Sequence, residues 1–169
     1  MDLNLEIRPE CAGDADIIRG VTEAAFKCND YSSGTEGAII DALREADALT
    51  ISLVAVIDNE TVGHIAFSPV TIEGAHVGWF GLGPVAVRPD LHKRGIGSAL
   101  IREGLERLKQ AGASGCVLVG DPAYYGRFGF ENDPAMRYED APPEYFMRLA
   151  FDGSAPRGRV RFHAGFSAR

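Results

Sequence analysis

The chain has 169 residues, 46% of them hydrophobic, and a formal net charge of −7. That length suits one domain, residues 1–169, with apolar material for a single core. The acidic balance argues against a nucleic-acid or anionic-membrane binder, which would need a basic face, and leaves cationic partners such as amines open.

Residues 2–8 alternate apolar and polar (Leu3, Leu5, Ile7), as a half-buried strand does, and Pro9 stops them. Asp14 stands as N-cap of a helix with Ile17, Ile18, Val21, Ala24 and Ala25 at helical spacing. Residues 29–35 read as a loop. Ser33 with Glu36 fits a capping box before a helix that carries Ile39, Ile40 and Leu43. ISLVAVI (51–57) is nearly continuous apolar and predicts a strand buried on both faces. Asp58 to Glu60 form a turn into a strand over 62–72, and a turn at Gly74 leads to GWFGLGPVAV (78–87). These three strands are expected to be antiparallel neighbours. Ile101, Leu105 and Leu108 define the next helix, with Gly112 at C′. The strand CVLVG (116–120) follows a helical crossover and should run parallel to 78–87. A short helical segment, AYYGRF, precedes Gly129, and late strands are expected at 145–151 and 158–162.

The stretch HKRGIGSALI (92–101) places basic residues and two glycines at a helix mouth. First-turn N–H groups lack internal partners, and the helix dipole adds partial positive charge there. Glycine lets the backbone approach a phosphate, and Lys93, Arg94 and Arg88 can pair with its oxygens. On spacing alone this is a phosphate loop or a helix start with a solvated basic cap. Leu100 stands where a dinucleotide fingerprint needs glycine, and the Walker A pattern is absent. Gly83-Pro84 inside a strand removes a ladder donor and predicts a bulge, which would splay this strand from 116–120 and open a V-shaped slot.

The loop His92-Lys93-Arg94-Gly95-Ile96-Gly97, the strand GLGPVAV and the stretch GDPAYYGRFGF together resemble the GNAT N-acetyltransferase superfamily over roughly residues 3–151, and within it the YhbS-like branch. His92 departs from the family's Gln or Arg at the first loop position. The resemblance implies an α/β (α+β) fold, with a mixed, mostly antiparallel central sheet flanked by helices and a cofactor slot between the fourth and fifth strands. A C-terminal extension, 152–169, would follow. It implies acetyl-CoA as cosubstrate and an amine acceptor. Val85, Ala86 and Val87 would pair with the pantetheine arm, and Lys93, Arg94, Gly95, Ile96, Gly97 and Ser98 would wrap the pyrophosphate. A backbone N–H beside Gly83 and Pro84 would polarise the thioester carbonyl. Tyr125, four residues before Gly129-Phe130, would be the general acid, with Tyr124 a packing neighbour.

No general base is identified; Glu36, His64 and Asp121 are weak candidates, better read as a capping residue, a core or surface histidine, and a helix cap. Cys11, Cys28 and Cys116 show no CxxC spacing, which argues against a disulfide framework or a zinc site, and Cys116 reads as a small buried residue. The basic closing stretch, RGRVRFHAGFSAR, reads as an exposed strand and tail. No stretch reaches the roughly 18 apolar residues of a spanning helix and the start is charged, so a cytoplasmic location without membrane or nucleic-acid partners is expected. A homodimer stays open. The alternatives are a CoA-binding regulatory module without transfer, or an N-acyltransferase using a longer acyl-CoA.

Overall fold

The computed structural model describes residues 4–27 and 34–169. Cys28, Ser33 and most of the loop expected at 29–35 lie outside the described residues. Among those described, the strands are β1 (Leu5–Pro9), β2 (Ile51–Ile57), β3 (Glu60–Pro69), β4 (Thr71–Ile72), β5 (Trp79–Val87), β6 (Gly115–Val119), β7 (Met136–Arg137), β8 (Phe146–Ala150) and β9 (Gly158–Arg161). The helices are α1 (Ala15–Lys27), α2 (Glu36–Glu45), α3 (Ile96–Gln110) and α4 (Pro122–Tyr125).

Six strands form the main sheet in the order β1-β2-β3-β5-β6-β8. All neighbours are antiparallel except β5 and β6, which α3 joins in parallel as the crossover spacing predicts. Asp58 (φ 49°) and Asn59 (φ 67°) make the left-handed pair of a tight hairpin between β2 and β3. The apolar run of β2 has the cause expected of it. Val54 packs with Ile18 and Ile40 under α1 and α2, while Leu53 and Ala55 join the cluster under α3. In α3, Leu100, Ile101, Leu105 and Leu108 are buried. Gly104 lets that helix settle onto β3, because a Cβ there would come within 2.3 Å of the fully buried Phe67 ring.

The strand expected over 62–72 divides. Pro69 ends β3, Val70 N–H donates to Trp79 O, and Thr71–Ile72 leaves to pair with β9 in a second sheet, order β4-β9-β7. The two-residue β4 and β7 carry no legible periodicity. The closing segment is not a frayed tail. Its β9 is paired on both sides, Phe162 meets Tyr138 edge to face at 5.0 Å between ring centres, and Phe166 packs beside Leu43 of α2. The capping box is also corrected: α2 starts at Glu36 after Thr35, so Glu36 is the first helical residue rather than the third. Asp14 accepts the Ile18 N–H through its carbonyl, but its carboxylate turns back to the Cys11 N–H (2.7 Å) and Arg8 (2.9 Å). No helix among the described residues is long and apolar enough to cross a membrane.

A polar cluster ties β1, α2 and the sheet together. Arg44 makes a two-pronged pair with Glu10, at 2.9 and 3.0 Å, and Ser52 Oγ bonds to both Glu10 and His64 Nε2. His64 is fully buried, and its Nδ1 finds no hydrogen-bond partner among the described residues. Burial lowers its pKa to about 4, with Glu10 opposing and Arg44 adding to the shift.

Two helical glycines should respond to substitution in opposite directions. Gly20 lies exposed within α1 with open space around its Cα, so Gly20→Ala should stabilise by up to about 1 kcal/mol through helix propensity. Gly104→Val should destabilise by about 1–3 kcal/mol through overpacking against Phe67; denaturant midpoints check both signs. For His64, stability is independent of its titration above the unfolded-state pKa of about 6.5. Below that, the unfolded chain takes a proton that the fold refuses, so stability drops by about 1.4 kcal/mol per pH unit until about 4. Between about pH 7.5 and 5 the wild type should therefore lose about 2 kcal/mol more than His64→Gln. Equal losses in the two proteins would place the acid sensitivity elsewhere.

Candidate active site

The parallel strands β5 and β6 part company almost at once. They pair at Trp79↔Gly115, Phe80↔Cys116 and Gly81↔Val117, and no further. On the other side of β5 the register to β3 runs Phe67↔Leu82 and then Ile65↔Val85, so Gly83 and Pro84 together oppose the single residue Ala66. This is the bulge that Gly83-Pro84 predicts, and it turns the end of β5 away from β6.

The bulge also sets which backbone groups face the gap. Arg88 N–H donates to Val62 O at 2.8 Å. By antiparallel alternation Ala86 then bonds to His64, while the polar groups of Val85 and Val87 point away from β3 into the slot. The His92 ring agrees: its Nε2 lies 2.7 Å from Val87 O, closing the loop back onto the strand it leaves.

A cavity of about 560 Å³ opens at the mouth of α3. Val85 and Val87 line it from the strand, Lys93, Gly95, Ile96, Gly97 and Ser98 from the loop and first helical turn. The loop is coiled by left-handed backbone at Lys93 (φ 65°) and Gly95 (φ 84°), with Arg94 between them. Such alternation gathers N–H groups on the concave side, and the first-turn N–H groups of α3 open onto the same space. The cavity's walls leave out two expected residues. Ala86 is buried and turned to β3, and Arg94 is exposed outside. Arg88 is likewise engaged elsewhere, held by Asp90 at 2.7 and 3.0 Å and by Glu60 at 3.2 Å.

Beyond Val85 a second cavity, about 690 Å³, reaches from the bulge to the closing segment. Val85 belongs to both. The helix α4 sits at their junction, started by Asp121, which accepts the Ala123 N–H at 2.9 Å, and by Pro122. Its two tyrosines part. Tyr124 lines the first cavity, its hydroxyl 3.2 Å from Ser98 Oγ. Tyr125 lines the second, beside Gly83, Pro84 and Val85. The Tyr125 ring crosses the end of β6 where Gly120 has no side chain; a Cβ there would lie 2.4 Å from it. Burial, with a smaller contribution from Tyr124, pushes the Tyr125 phenol up to about 12.

Of the remaining candidates, Glu36 lines the second cavity, Asp121 is the cap just described, and Cys116 is buried in the core, where desolvation drives its thiol far up. His64 is sealed in the polar cluster beneath α2 and does not line the slot. Sequence reasoning missed Leu91, Ile101, Tyr124 and Arg127 in the first cavity. Arg127 lies 4.6 Å from the Tyr124 ring centre and donates to Tyr124 O. Its place three residues after Tyr124 on a helical turn is the signal that could have found it. Phe26, Tyr138, Asp140, Phe162 and Phe166 of the second cavity were also missed, since they come from parts of the chain far apart in sequence.

The family description "Acetyltransferase (GNAT) domain" matches residues 6–132. The chain is 34% identical over 168 residues to the N-acetyltransferase YhbS of Escherichia coli K12, covering 95% of this chain and 98% of that protein. A GNAT family acetyltransferase of Brucella melitensis, solved in complex with acetyl-CoA, superposes with a TM-score of 0.87 at 53% identity, over 98% of this chain and 99% of the other. The crystal structure of E. coli YhbS in complex with CoA superposes with a TM-score of 0.90 at 32% identity, over 99% of this chain and 94% of that one. With the splayed β5–β6 pair, the glycine loop opening α3 and this extent of likeness, the chain belongs to the GNAT acetyltransferase family.

Proposed function

We propose that this protein transfers the acetyl group of acetyl-CoA to an amine, by direct attack at the gap between β5 and β6. The observation that carries the reading is the meeting of two cavities at Val85, one walled by the glycine loop and one by Tyr125. The Brucella relative was solved with acetyl-CoA and E. coli YhbS with CoA, which supports the same cosubstrate here.

In this reading Gly95, Ile96, Gly97 and Ser98 hold the pyrophosphate through backbone N–H groups and the α3 dipole, with Lys93 adding charge at the rim. Arg127 and the Tyr124 hydroxyl complete that side. The backbone edge that Val85 and Val87 turn away from β3 receives the pantetheine amides, as a strand would, with Val87 O shared there with the His92 ring. His92, bonded to Val87 O, fixes the angle between strand and loop and takes no part in chemistry. Arg94 and Ala86 contribute through loop and strand geometry alone.

In this reading the Val85 N–H, which alternation along β5 turns away from β3, polarises the thioester carbonyl. Pro84 has no N–H to offer. A neutral amine needs no enzyme nucleophile. As the C–S bond breaks, the leaving thiolate requires a proton, and Tyr125 is the donor at the cavity junction. A phenol at about 12 stays protonated through the ordinary pH range. The apolar surroundings that raise it also raise the basicity of a thiolate left there, which preserves the drive for transfer.

Tyr125→Phe keeps the ring and its packing. Positioned proton transfer typically contributes about 100-fold to 10,000-fold, so turnover should fall by at least roughly tenfold while acetyl-CoA affinity holds. Full turnover across pH would show that the proton comes from elsewhere. Tyr124→Phe should instead weaken acetyl-CoA binding a few-fold with little change in turnover. At Gly97 a Cβ would have ordinary contacts 3.7 Å from Tyr124 Oη and Val87, so Gly97→Asp should fold. Its carboxylate would occupy the anion site, and calorimetry should find acetyl-CoA affinity lower by orders of magnitude. An unchanged dissociation constant in the folded variant would remove the phosphate role.

A further inference from the structure

The second cavity bears on the acceptor, and its assignment as the acceptor site rests on the transferase reading above. Its volume, about 690 Å³, is that of a site for a whole small molecule rather than for an acetyl group alone. Its walls are chiefly aromatic and aliphatic. Phe26 and Ile39 come from α1 and α2, Pro84 from the bulge, and Tyr138, Phe162 and Phe166 from the closing part of the chain. The last three form a continuous aromatic wall, Tyr138 to Phe162 at 5.0 Å between ring centres and Phe162 to Phe166 at 5.1 Å.

The charged residues in the lining are both acidic, Glu36 on the α2 side and Asp140 beside Tyr138. Asp140 lies close enough to add to the raised pKa of the Tyr138 phenol, behind the larger effect of burial. Tyr138, Asp140, Phe162 and Phe166 also line an adjoining hollow of about 340 Å³, and the basic side chains near this end, Arg159, Arg161 and His163, line that hollow and not the larger cavity; there Arg159 pairs with Glu139 at 2.8 Å. The chain's net charge of −7 acts at longer range in the same sense as the two carboxylates.

We propose that the acceptor is a small primary amine on an aromatic or otherwise apolar body, its ammonium drawn by Glu36 and Asp140 and its body laid against Tyr138, Phe162 and Phe166. Aromatic faces favour such a ligand twice, by apolar contact and by cation–π attraction. A polyamine would leave several charges against apolar walls with two carboxylates to meet them. An aminoglycoside would leave hydroxyls there without partners.

The test compares acetyl-CoA-dependent turnover of 2-phenylethylamine, spermidine, glycylglycine and kanamycin. It is coupled to calorimetric titration of 2-phenylethylamine and uncharged 2-phenylethanol into the CoA-loaded protein. The expected result is kcat/KM for phenylethylamine at least tenfold above the other three, with binding of the amine and none detectable for the alcohol. Asp140 is exposed, so Asp140→Asn should fold. It should raise KM and the titrated Kd for phenylethylamine about three- to tenfold, with acetyl-CoA affinity unchanged. Preference for spermidine, glycylglycine or kanamycin overturns the proposal, as does an Asp140→Asn protein with unchanged KM and Kd. Amine binding that depends on Asp140 without any acetyl transfer would sink the transferase reading and leave this assignment of the cavity standing. Transfer to another amine with no phenylethylamine binding would do the reverse.

Discussion

The site depends on one interrupted hydrogen-bond ladder. Two parallel strands in the middle of a sheet would normally stay paired to their ends, because each unpaired buried N–H or C=O costs free energy. Here β5 and β6 pair over three residues and then diverge. Gly83 and Pro84 cause this locally, by adding a residue on β5 against β3 and by removing one donor. The divergence leaves the backbone groups of Val85 and Val87 on an open edge, which in the proposed function a ligand's amides complete. An edge in mid-sheet is a liability in a protein built only for stability.

The two sides of that opening differ in kind. The mouth of α3 is coiled by left-handed residues and carries first-turn N–H groups with a partial positive charge. The region beyond Val85 is walled by aromatic rings and acidic in its ionised groups. The consecutive residues Tyr124 and Tyr125 are turned to opposite sides by one step of helix, about 100°. One phenol stands beside Ser98 in the first cavity, while the other is desolvated, which raises its pKa. In the proposed function the same side-chain chemistry serves two tasks, set by the direction each ring takes and by its burial.

Much of the remaining structure holds these surfaces still. The helix α3 meets β3 closely through Gly104 against Phe67, which fixes the height of the glycine loop over the sheet. On the opposite face, the Glu10–Arg44–Ser52–His64 cluster fastens α2 to β1 and β2, and α2 carries Glu36 and Ile39 into the second cavity. The buried neutral His64 makes that attachment sensitive to acid, although it lies away from the slot.

By itself the sequence determined what local periodicity and backbone chemistry dictate. The continuous apolar run of 51–57, the helix pattern of 101–108 and the crossover before 116 specified the main sheet and its one parallel pair. Gly83-Pro84 announced the bulge, and Gly95 with Gly97 announced the loop, because glycine and proline act on the backbone directly. Tertiary structure alone decided the rest. Which backbone groups of 85–87 face the slot follows from the register with β3, and turned Ala86 away while Val85 and Val87 remained. Arg88 had to be seen paired with Asp90 and Glu60 before its charge could be discounted. The wall of the second cavity joins Phe26, Glu36, Tyr138 and Phe166, residues from opposite ends of the chain. No local pattern encodes that meeting, since burial and proximity across such separations exist only once the chain has folded.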